Sequence, residues 1–198
     1  MLITQISEVD KKRMMIHTEE GVSFVLYKGE IRRFALQEGE EIASEVYEEI
    51  RTDILIKRAR KRAMFLLEKM DRTESQLRNK LRQGFYGEDL IDDAIAYVKK
   101  YHYIDDNRYA QTYVRYQKER KSKRQIKMDL MQKGVDREII EQAIEAEYEP
   151  ESEQELILKW IEKRKYKIGE SDIKEKQKMY QFLMRKGFRS EDILHVLE

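Results

Sequence analysis

The 198-residue sequence has no cysteine, which excludes disulfide bridges and thiolate metal sites and gives no reason to expect an oxidising compartment. It has one proline, Pro150, and eight glycines, so long stretches run without a helix breaker. No apolar run of about 18 residues occurs, and residues 1–10 lack the basic and apolar regions of a signal peptide. We therefore expect a mostly α-helical, cytoplasmic protein without membrane contact.

Catalytic motifs are also missing. The sequence contains neither a glycine-rich phosphate loop followed by Lys-Ser/Thr nor a nucleophile elbow. The three histidines, His17, His102 and His195, are far apart and do not have the spacing of metal ligands. The carboxylate pairs Asp92-Asp93 and Asp105-Asp106 are compatible with a metal ion, but helix-cap and surface roles are commoner for such pairs. The sequence therefore predicts a protein that is not an enzyme and holds no metal or cofactor.

An apolar framework with constant spacing occurs three times in the chain. Within each copy, successive residues are separated by 4, 10, 3 and 1 positions, and equivalent positions lie 49 and 53 residues apart. The three copies are Leu77, Leu81, Ile91, Ala94, Ile95; Ile126, Leu130, Ile140, Ala143, Ile144; and Met179, Leu183, Ile193, Val196, Leu197. A period of this length is typical of stacked helical units.

A glycine-containing step interrupts each copy of the framework, at Gly84-Phe85, Gly134-Val135 and Gly187-Phe188. A glycine at this point can adopt a positive φ and end one helix before the next begins. Each unit extends to three helices, giving three tandem three-helix repeats. The predicted helices cover about residues 54–70, 74–83, 88–101, 106–120, 123–133, 137–147, 152–164, 173–186 and 191–197.

Capping residues support these helix starts. Two capping boxes, Thr73-Glu74-Ser75-Gln76 and Ser122-Lys123-Arg124-Gln125, open the second helix of repeats one and two. In repeat three the equivalent helix is expected to begin near Ser171-Asp172. Asp136 and Ser190 are the expected N-caps of the last helix in repeats two and three.

The first 36 residues follow a different pattern. Apolar and polar residues alternate over 14–17, 22–27 and 31–34, with short glycine-containing turns between the runs. This pattern predicts a small β-meander. Because an isolated three-stranded sheet is barely stable, we expect it to pack on the following helical stretch, from Glu40 to about Met70, with a restart near Thr52-Asp53.

The predicted organisation has four parts. Residues 1–52 form a β-rich leader with a following helix, and three-helix repeats cover 53–101, 102–149 and 150–198. Pro150, which follows an acidic stretch, is the clearest boundary signal and suits a joint between repeats.

Charge is strongly segregated along the chain, although the net charge is only +1. Residues 57–82 contain ten basic and three acidic residues, and residues 115–133 contain eight and two. By contrast, residues 38–53 contain one basic and seven acidic residues, and residues 136–155 contain one and nine. A solvated helix surface is the commoner meaning of any single block, but alternating blocks give one basic and one acidic face if the repeats stack in register.

The basic residues of the repeats are the candidate binding site. Four of the five residues from Arg120 to Arg124 are cations, beside a predicted helix N-terminus that would favour a phosphate or a partner's carboxylate. The candidate contact residues are Arg115, Arg120, Lys121, Lys123, Arg124 and Lys127 in repeat two, Arg78 and Arg82 in repeat one, and Lys163, Arg164, Lys165, Lys186 and Arg189 in repeat three.

Two other patterns leave alternatives open. The stripe of Tyr109, Tyr113, Val114 and Tyr116 can stack nucleic-acid bases, but at helical spacing it is more often a packed face. A helix-turn-helix unit can dock a recognition helix into a DNA groove, but candidate helices such as 138–147 are acidic and would be repelled by the flanking phosphates.

One segment resembles a known family. The run His102-Tyr103-Ile104-Asp105-Asp106-Asn107-Arg108-Tyr109-Ala110, followed by Val114-Arg115, a capping box and residues 126–135, is similar to the central signature of the RecX family. Arg72-Thr73-Glu74-Ser75-Gln76-Leu77 through Gly84-Phe85 is similar to the family's first-repeat element. The resemblance covers about residues 55–198 and leaves out the leader. Asp105 or Asp106 can cap the helix that carries Ala110, so these motif residues have folding roles.

The resemblance to RecX implies a non-enzymatic regulator of RecA recombinase that acts in DNA repair, homologous recombination and the SOS response. It implies an elongated, curved array of repeats that binds the helical groove of the RecA–DNA filament and inhibits filament growth, ATP hydrolysis and strand exchange. The implied partners are the RecA filament and the single-stranded DNA within it, and we expect a monomer.

An independent DNA-binding helical-repeat protein that acts without RecA is the alternative, and it predicts tight, salt-sensitive binding to bare DNA. Orientation on the filament, the role of the leader and the choice between DNA and RecA as the target of each cation stay open.

Overall fold

The computed structural model describes residues 1–149, 152–169 and 171–197 and divides into two compact units, Met1–Ile104 and Asp105–Glu198. The described chain is mostly helical and begins with a three-stranded antiparallel sheet, as predicted. The boundaries at residues 53, 102 and 150 stay predictions. Pro150, the expected joint between repeats two and three, lies outside the described residues.

The N-terminal sheet is a meander of β1 (Ile3–Glu8), β2 (Arg13–Thr18) and β3 (Ser23–Tyr27), in that order. The sequence analysis missed β1 and wrongly assigned residues 31–34 to a strand, because Lys28–Arg33 form a helix, α1. The backbone N–H of Tyr27 donates to the Glu30 carboxylate at 2.8 Å, which closes the first turn of α1. The sequence Lys28-Gly29-Glu30 is therefore a helix start rather than a hairpin turn.

A long helical stretch, continuous from Ser44 to Lys69, follows α1. It comprises α2 (Ser44–Glu49), a π-helical segment (Ile50–Ile56) and α3 (Lys57–Lys69). The predicted restart at Thr52-Asp53 is wrong. The Thr52 hydroxyl donates to the carbonyl of Glu48 at 2.7 Å, and the Asp53 carboxylate accepts from Lys57 Nζ at 2.6 Å. Both side chains satisfy polar groups along the helix instead of capping a new one.

The sheet and the first repeat share one hydrophobic core. In this core Ile16 and Leu26 of the sheet and Ala59 and Ala63 of α3 are completely buried. The core also takes residues from α4 (Glu74–Arg82) and α5 (Glu88–Lys100). This confirms that the leader packs on the helices that follow it.

The second unit contains two three-helix repeats, each with its own core. The helices are α6 (Asp106–Gln117), α7 (Lys123–Gln132), α8 (Arg137–Glu147), α9 (Ser152–Lys163), α10 (Ile173–Arg185) and α11 (Ser190–Leu197). Fourteen of the fifteen framework residues are at most 5% exposed, and Val196 is partly buried against the core of repeat three. The threefold apolar framework is therefore the core of the repeats.

Most predicted N-caps are confirmed. The side chains that accept a backbone N–H at a helix start are Thr73, Asp105, Ser122, Asp136 and Asp172. Ser190 is the first residue of α11 rather than its N-cap, and its hydroxyl lies 2.8 Å from the hydroxyl of Tyr180. The error is one residue, and Ser190 instead connects α10 to α11.

The turn after the second helix of each repeat contains one residue with positive φ. In repeats two and three this residue is Gly134 (φ 76°) and Gly187 (φ 85°), as predicted. In repeat one it is Phe85 (φ 65°) and not Gly84, so the prediction for Gly84 is wrong. The left-handed residue lies four positions after Leu81, Leu130 and Leu183, which shows that the framework register, not the residue type, sets its place.

Candidate functional site

In the part of the chain that the structure describes, five of the thirteen candidate cations form ion pairs within their own repeats. The closest nitrogen–oxygen distances are 2.6–2.8 Å, for Arg78 with Asp92 and Glu74, Arg82 with Glu88, Arg115 with Glu147, Lys121 with Asp129, and Lys127 with Glu141. The Arg82 and Arg115 pairs are bidentate. The hydrogen bonds and charges of these cations lower the pKa of Glu88, Glu141 and Glu147. Carboxylates of the same repeat therefore balance much of the positive charge that was expected to bind a partner.

Lys121 points inward from the basic loop. Its Nζ lies 2.6 Å from Asp129 Oδ2, which also accepts a 2.7 Å hydrogen bond from the Tyr113 hydroxyl. Burial raises the pKa of Asp129. The hydrogen bonds from Lys121 and Tyr113 lower this pKa by more than burial raises it, so the net pKa is below its ordinary value. Lys121 therefore fixes the loop to α7, and its charge is balanced by Asp129, while Arg120 and Arg124 of the loop are exposed.

The N-terminus of α7 is already occupied by a carboxylate of the same chain. The Lys123 backbone N–H donates to Glu153 Oε1 at 2.8 Å, and the Gln125 N–H donates to Ser122 Oγ at 3.3 Å. Tyr148, whose pKa is raised by burial and by Glu153, also donates to this carboxylate at 3.4 Å. The anion expected at this helix end is thus supplied by α9 of repeat three, which ties the two repeats together.

A second contact joins the same repeats. Ser122 is completely buried, and its hydroxyl donates to the backbone carbonyl of Lys186 at 2.7 Å, at the end of α10. The next residue, Gly187, lies so close that an added Cβ would be 2.7 Å from Ser122 Oγ. The start of α7 and the end of α10 are therefore in direct contact.

This contact places several predicted residues around one cleft, which we call the joint cleft. It has a volume of about 780 Å³. Its charged lining residues are the basic Lys123, Arg124, Lys127 and Arg189 and the acidic Glu153, Glu191 and Asp192. Among the residues that the structure describes, Arg124 and Arg189 are exposed and form no ion pair within 4 Å. Arg124 and Arg189 are therefore the cations of the joint cleft that are available to a partner, in a lining that also carries carboxylates.

The remaining candidates of repeat three surround two aromatic rings. Lys186 Nζ lies 4.2 Å and Lys163 Nζ 5.1 Å from the Trp160 ring centre, and Arg164 Cζ lies 3.8 Å from that of Phe182. Sequence reasoning missed both rings, although the i,i+3 spacing of Trp160 and Lys163 could have indicated the first. Lys165 and, in repeat two, Arg120 are exposed.

The tyrosine stripe of α6 is mainly a packed face. The rings of Tyr109 and Tyr113 are nearly parallel at 6.4 Å and pack against the core of repeat two, where Val114 is completely buried. Tyr116, by contrast, is 73% exposed. The packing interpretation is therefore confirmed for three of the four residues.

The paired carboxylates have other partners than a metal ion. Asp92 accepts from Arg78, Asp93 accepts two hydrogen bonds from Arg60 at 2.6 and 2.8 Å, and Asp105 caps α6. Within the described ranges, no group of three or more His, Cys, Asp or Glu side chains is arranged to hold a metal ion. No helix in the same ranges is both long and apolar enough to cross a bilayer.

Family models match all three repeats in order. RecX first, second and third three-helix domains match residues 59–97, 105–144 and 151–197. "Regulatory protein RecX" of Caldanaerobacter subterraneus subsp. tengcongensis is 32% identical over 98% of this chain and 96% of its own length. "Regulatory protein RecX" of Clostridium perfringens strain SM101 is 33% identical over 94% of this chain and 90% of its own.

Solved structures show the same similarity. The structure described as "Crystal structure of regulatory protein RecX" is 26% identical, with a TM-score of 0.66 and 98% of both chains covered. RecX from Lactobacillus salivarius is 27% identical, with a TM-score of 0.61 over 72% of this chain and 94% of its own. The similarity to the first of these structures covers the N-terminal leader, as does the sequence alignment with the Caldanaerobacter relative. The expectation that the resemblance leaves out the leader is therefore wrong.

Proposed function

Since the chain belongs to the RecX family, we propose that it regulates a RecA recombinase by binding the RecA–DNA filament and inhibiting filament growth, ATP hydrolysis and strand exchange. The observation that carries this proposal is the match of three family domains, in order, in a chain that aligns over almost its whole length with proteins named as regulatory. In this proposal the protein acts in the cytoplasm as a monomer, without catalysis or cofactor.

The ion pairs divide the candidate cations into two groups, one that stabilises the repeats and one that is available to a partner. Paired cations such as Arg115 and Lys127 hold helices of one repeat together. Arg124 and Arg189 are exposed at the joint cleft and keep their charge available. We propose that these two, with Arg120 and Lys123, contact acidic RecA side chains or DNA phosphates in the filament.

The test of the function is the rate of ATP hydrolysis by RecA from the same source on single-stranded DNA. The protein is added below one copy per RecA, and a marked fall in rate is expected, because a regulator of a polymer acts on many subunits at once. Unchanged hydrolysis together with tight, salt-sensitive binding to bare DNA would contradict the proposal and favour the alternative of a DNA-binding protein that acts without RecA.

A charge-reversal pair tests the joint cleft. Arg124→Glu combined with Arg189→Glu is expected to raise the concentration for half-inhibition by roughly tenfold or more, since two contacts of about 1 kcal/mol each are reversed. The control is Lys174→Glu combined with Lys178→Glu, which makes the same charge change at exposed positions of α10 outside the cleft. Lys121 is left unchanged, because glutamate there would face Asp129. Equal inhibition by both double variants would exclude the joint cleft as the contact.

A further inference from the structure

The first unit contains a basic cleft that the candidate residues do not include, and we call it the sheet cleft. It has a volume of about 670 Å³ and lies between the sheet, α3 and the turn from α4 to α5. No carboxylate is found among its described lining residues. The cations that line it are Arg13, Arg58, Lys61, Arg62 and Lys80.

Three of these cations have no carboxylate partner among the residues that the structure describes. Lys61 and Arg62 are exposed and, in the described ranges, form no ion pair within 4 Å. Within the same ranges, the hydrogen bond of Lys80 Nζ is to the uncharged Gln83 side-chain oxygen, at 3.0 Å. In the same repeat Arg78 and Arg82, which the sequence favoured as contacts, are both bound to carboxylates. Positive charge in repeat one is therefore available at the sheet cleft.

Aromatic rings line the same cleft. Tyr27, Phe65 and Phe85 come from three separate elements and are 42%, 46% and 47% exposed. Among the described lining residues, no other large hydrophobic side chain is this exposed. Arg58 lies 4.7 Å from the Tyr27 ring centre, and Arg62 lies 5.5 Å from that of Phe65. Rings beside cations can stack bases and hold the phosphates between them.

Packing does not explain the backbone conformation of Phe85 in this cleft. It adopts φ 65°, a conformation that bulky residues rarely take, where repeats two and three have glycine. Its ring stays about half exposed, so burial does not compensate for the unfavourable backbone. An observed outlier of this kind supports a functional reason for the side chain.

We propose that the sheet cleft binds an unpaired nucleic-acid strand, with bases stacked on Phe65 and Phe85 and phosphates held by Lys61, Arg62 and Lys80. Charge complementarity with phosphates and flat, exposed ring faces on which bases stack favour this occupant. This site does not rest on the proposed regulation of RecA, and its test contains no RecA.

The experiment measures binding of the full chain to a labelled oligothymidylate by fluorescence anisotropy. Phe85→Gly introduces the residue that the other repeats have at this position, so the fold is expected to keep or gain stability in urea. Its affinity for the oligonucleotide is expected to fall about 5- to 100-fold, the range for removal of one stacking partner. Unchanged affinity of Phe85→Gly would overturn the proposal.

Two further comparisons distinguish the binding of phosphates by the cations from the stacking of bases on the rings. Arg62→Glu is expected to make the plot of log affinity against log salt concentration less steep, by about 0.7 for each phosphate that the cleft no longer neutralises. The control is Lys100→Glu, which changes an exposed cation outside the cleft and is expected to leave the slope unchanged. An abasic strand of the same length is expected to bind at least about fivefold more weakly than oligothymidylate. Equal binding of the abasic strand, or tighter binding of an acidic peptide that Phe85→Gly weakens, would overturn the assignment to nucleic acid.

The two clefts are distinguished by the same assay. Phe85→Gly is expected to lower the affinity by the same factor in the Arg124→Glu and Arg189→Glu background as in the wild type, because Phe85 contacts the strand in a separate cleft. Loss of all binding in that background, with no effect of the sheet-cleft variants, would assign the strand to the joint cleft and refute the inference.

Discussion

Replacing Gly187 with alanine is expected to destabilise the second unit by about 2–4 kcal/mol. Part of this cost, about 1–2 kcal/mol, comes from placing a Cβ on a residue with φ 85°. The rest comes from Ser122, because the new Cβ would be 2.7 Å from Ser122 Oγ. That oxygen caps α7 and donates to the Lys186 carbonyl, and breaking each of these bonds costs about 1 kcal/mol.

Urea unfolding followed by tryptophan fluorescence measures this effect. Trp160, the one tryptophan of the sequence, packs against the core of repeat three and reports on the repeat that holds Gly187. With a slope of about 2 kcal/mol per M, the expected loss lowers the midpoint by about 1–2 M. Gly169→Ala is the matched control, because Gly169 has φ 78° and an added Cβ there would meet no atom within 4 Å. Its cost is the backbone strain alone, about 1–2 kcal/mol.

A double-mutant cycle then isolates the contact. In a Ser122→Ala background the obstructing oxygen is absent, so Gly187→Ala is expected to cost about 1 kcal/mol less than in the wild type. If Gly187→Ala costs no more than Gly169→Ala, or costs the same in both backgrounds, the contact with Ser122 does not hold the two repeats together and our account of the joint is refuted.

Two further predictions concern single polar contacts. Asp129→Asn is expected to cost on the order of 1 kcal/mol at pH 7. The pKa of Asp129 is lowered in the folded protein, so this contribution is present above the unfolded value of about 3.9 and is lost as the pH falls through the lowered pKa. Urea midpoints of wild type and variant should therefore converge in acid, and a constant difference down to pH 2 would contradict this. Thr73→Ala is expected to cost about 1 kcal/mol in thermal or urea unfolding, because the Thr73 hydroxyl accepts the Gln76 N–H at 3.2 Å. Thr73→Ser retains the oxygen and should recover most of that stability, whereas equal losses in both variants would exclude the cap as the cause.

The helices of the repeats were predictable because their signals are local. Apart from the start of the first helix, which belongs to a helical stretch continuous from Ser44, the predicted bounds agree with the structure within three residues. Thr73 and Asp136 cap the helices that follow them. The prediction of an element fails where one local sequence pattern is compatible with two structures. Lys28-Gly29-Glu30 suits a hairpin turn as well as a helix start, and the Glu30 side chain, which also binds Arg58, decides for the helix.

The candidate site was predictable only in part. Sequence reasoning identified the cations, and the structure brings Arg124 and Arg189 to one cleft. It could not identify which cations are neutralised, because the partner carboxylate lies 14 residues from Lys127 and 32 residues from Arg115. The basic lining of the sheet cleft was missed for the same reason, since its cations come from β2, α3 and α4.

The sequence by itself determined the three-helix repeats, their helix starts and the family, because spacing and capping act over a few residues and recur along the chain. Only the tertiary structure decided which charges are balanced and that the N-terminus of α7 is occupied, since these depend on side chains such as Glu153 that come from another repeat. A charge keeps its effect on a partner only where no nearby opposite charge balances it, and that distance is set by the fold.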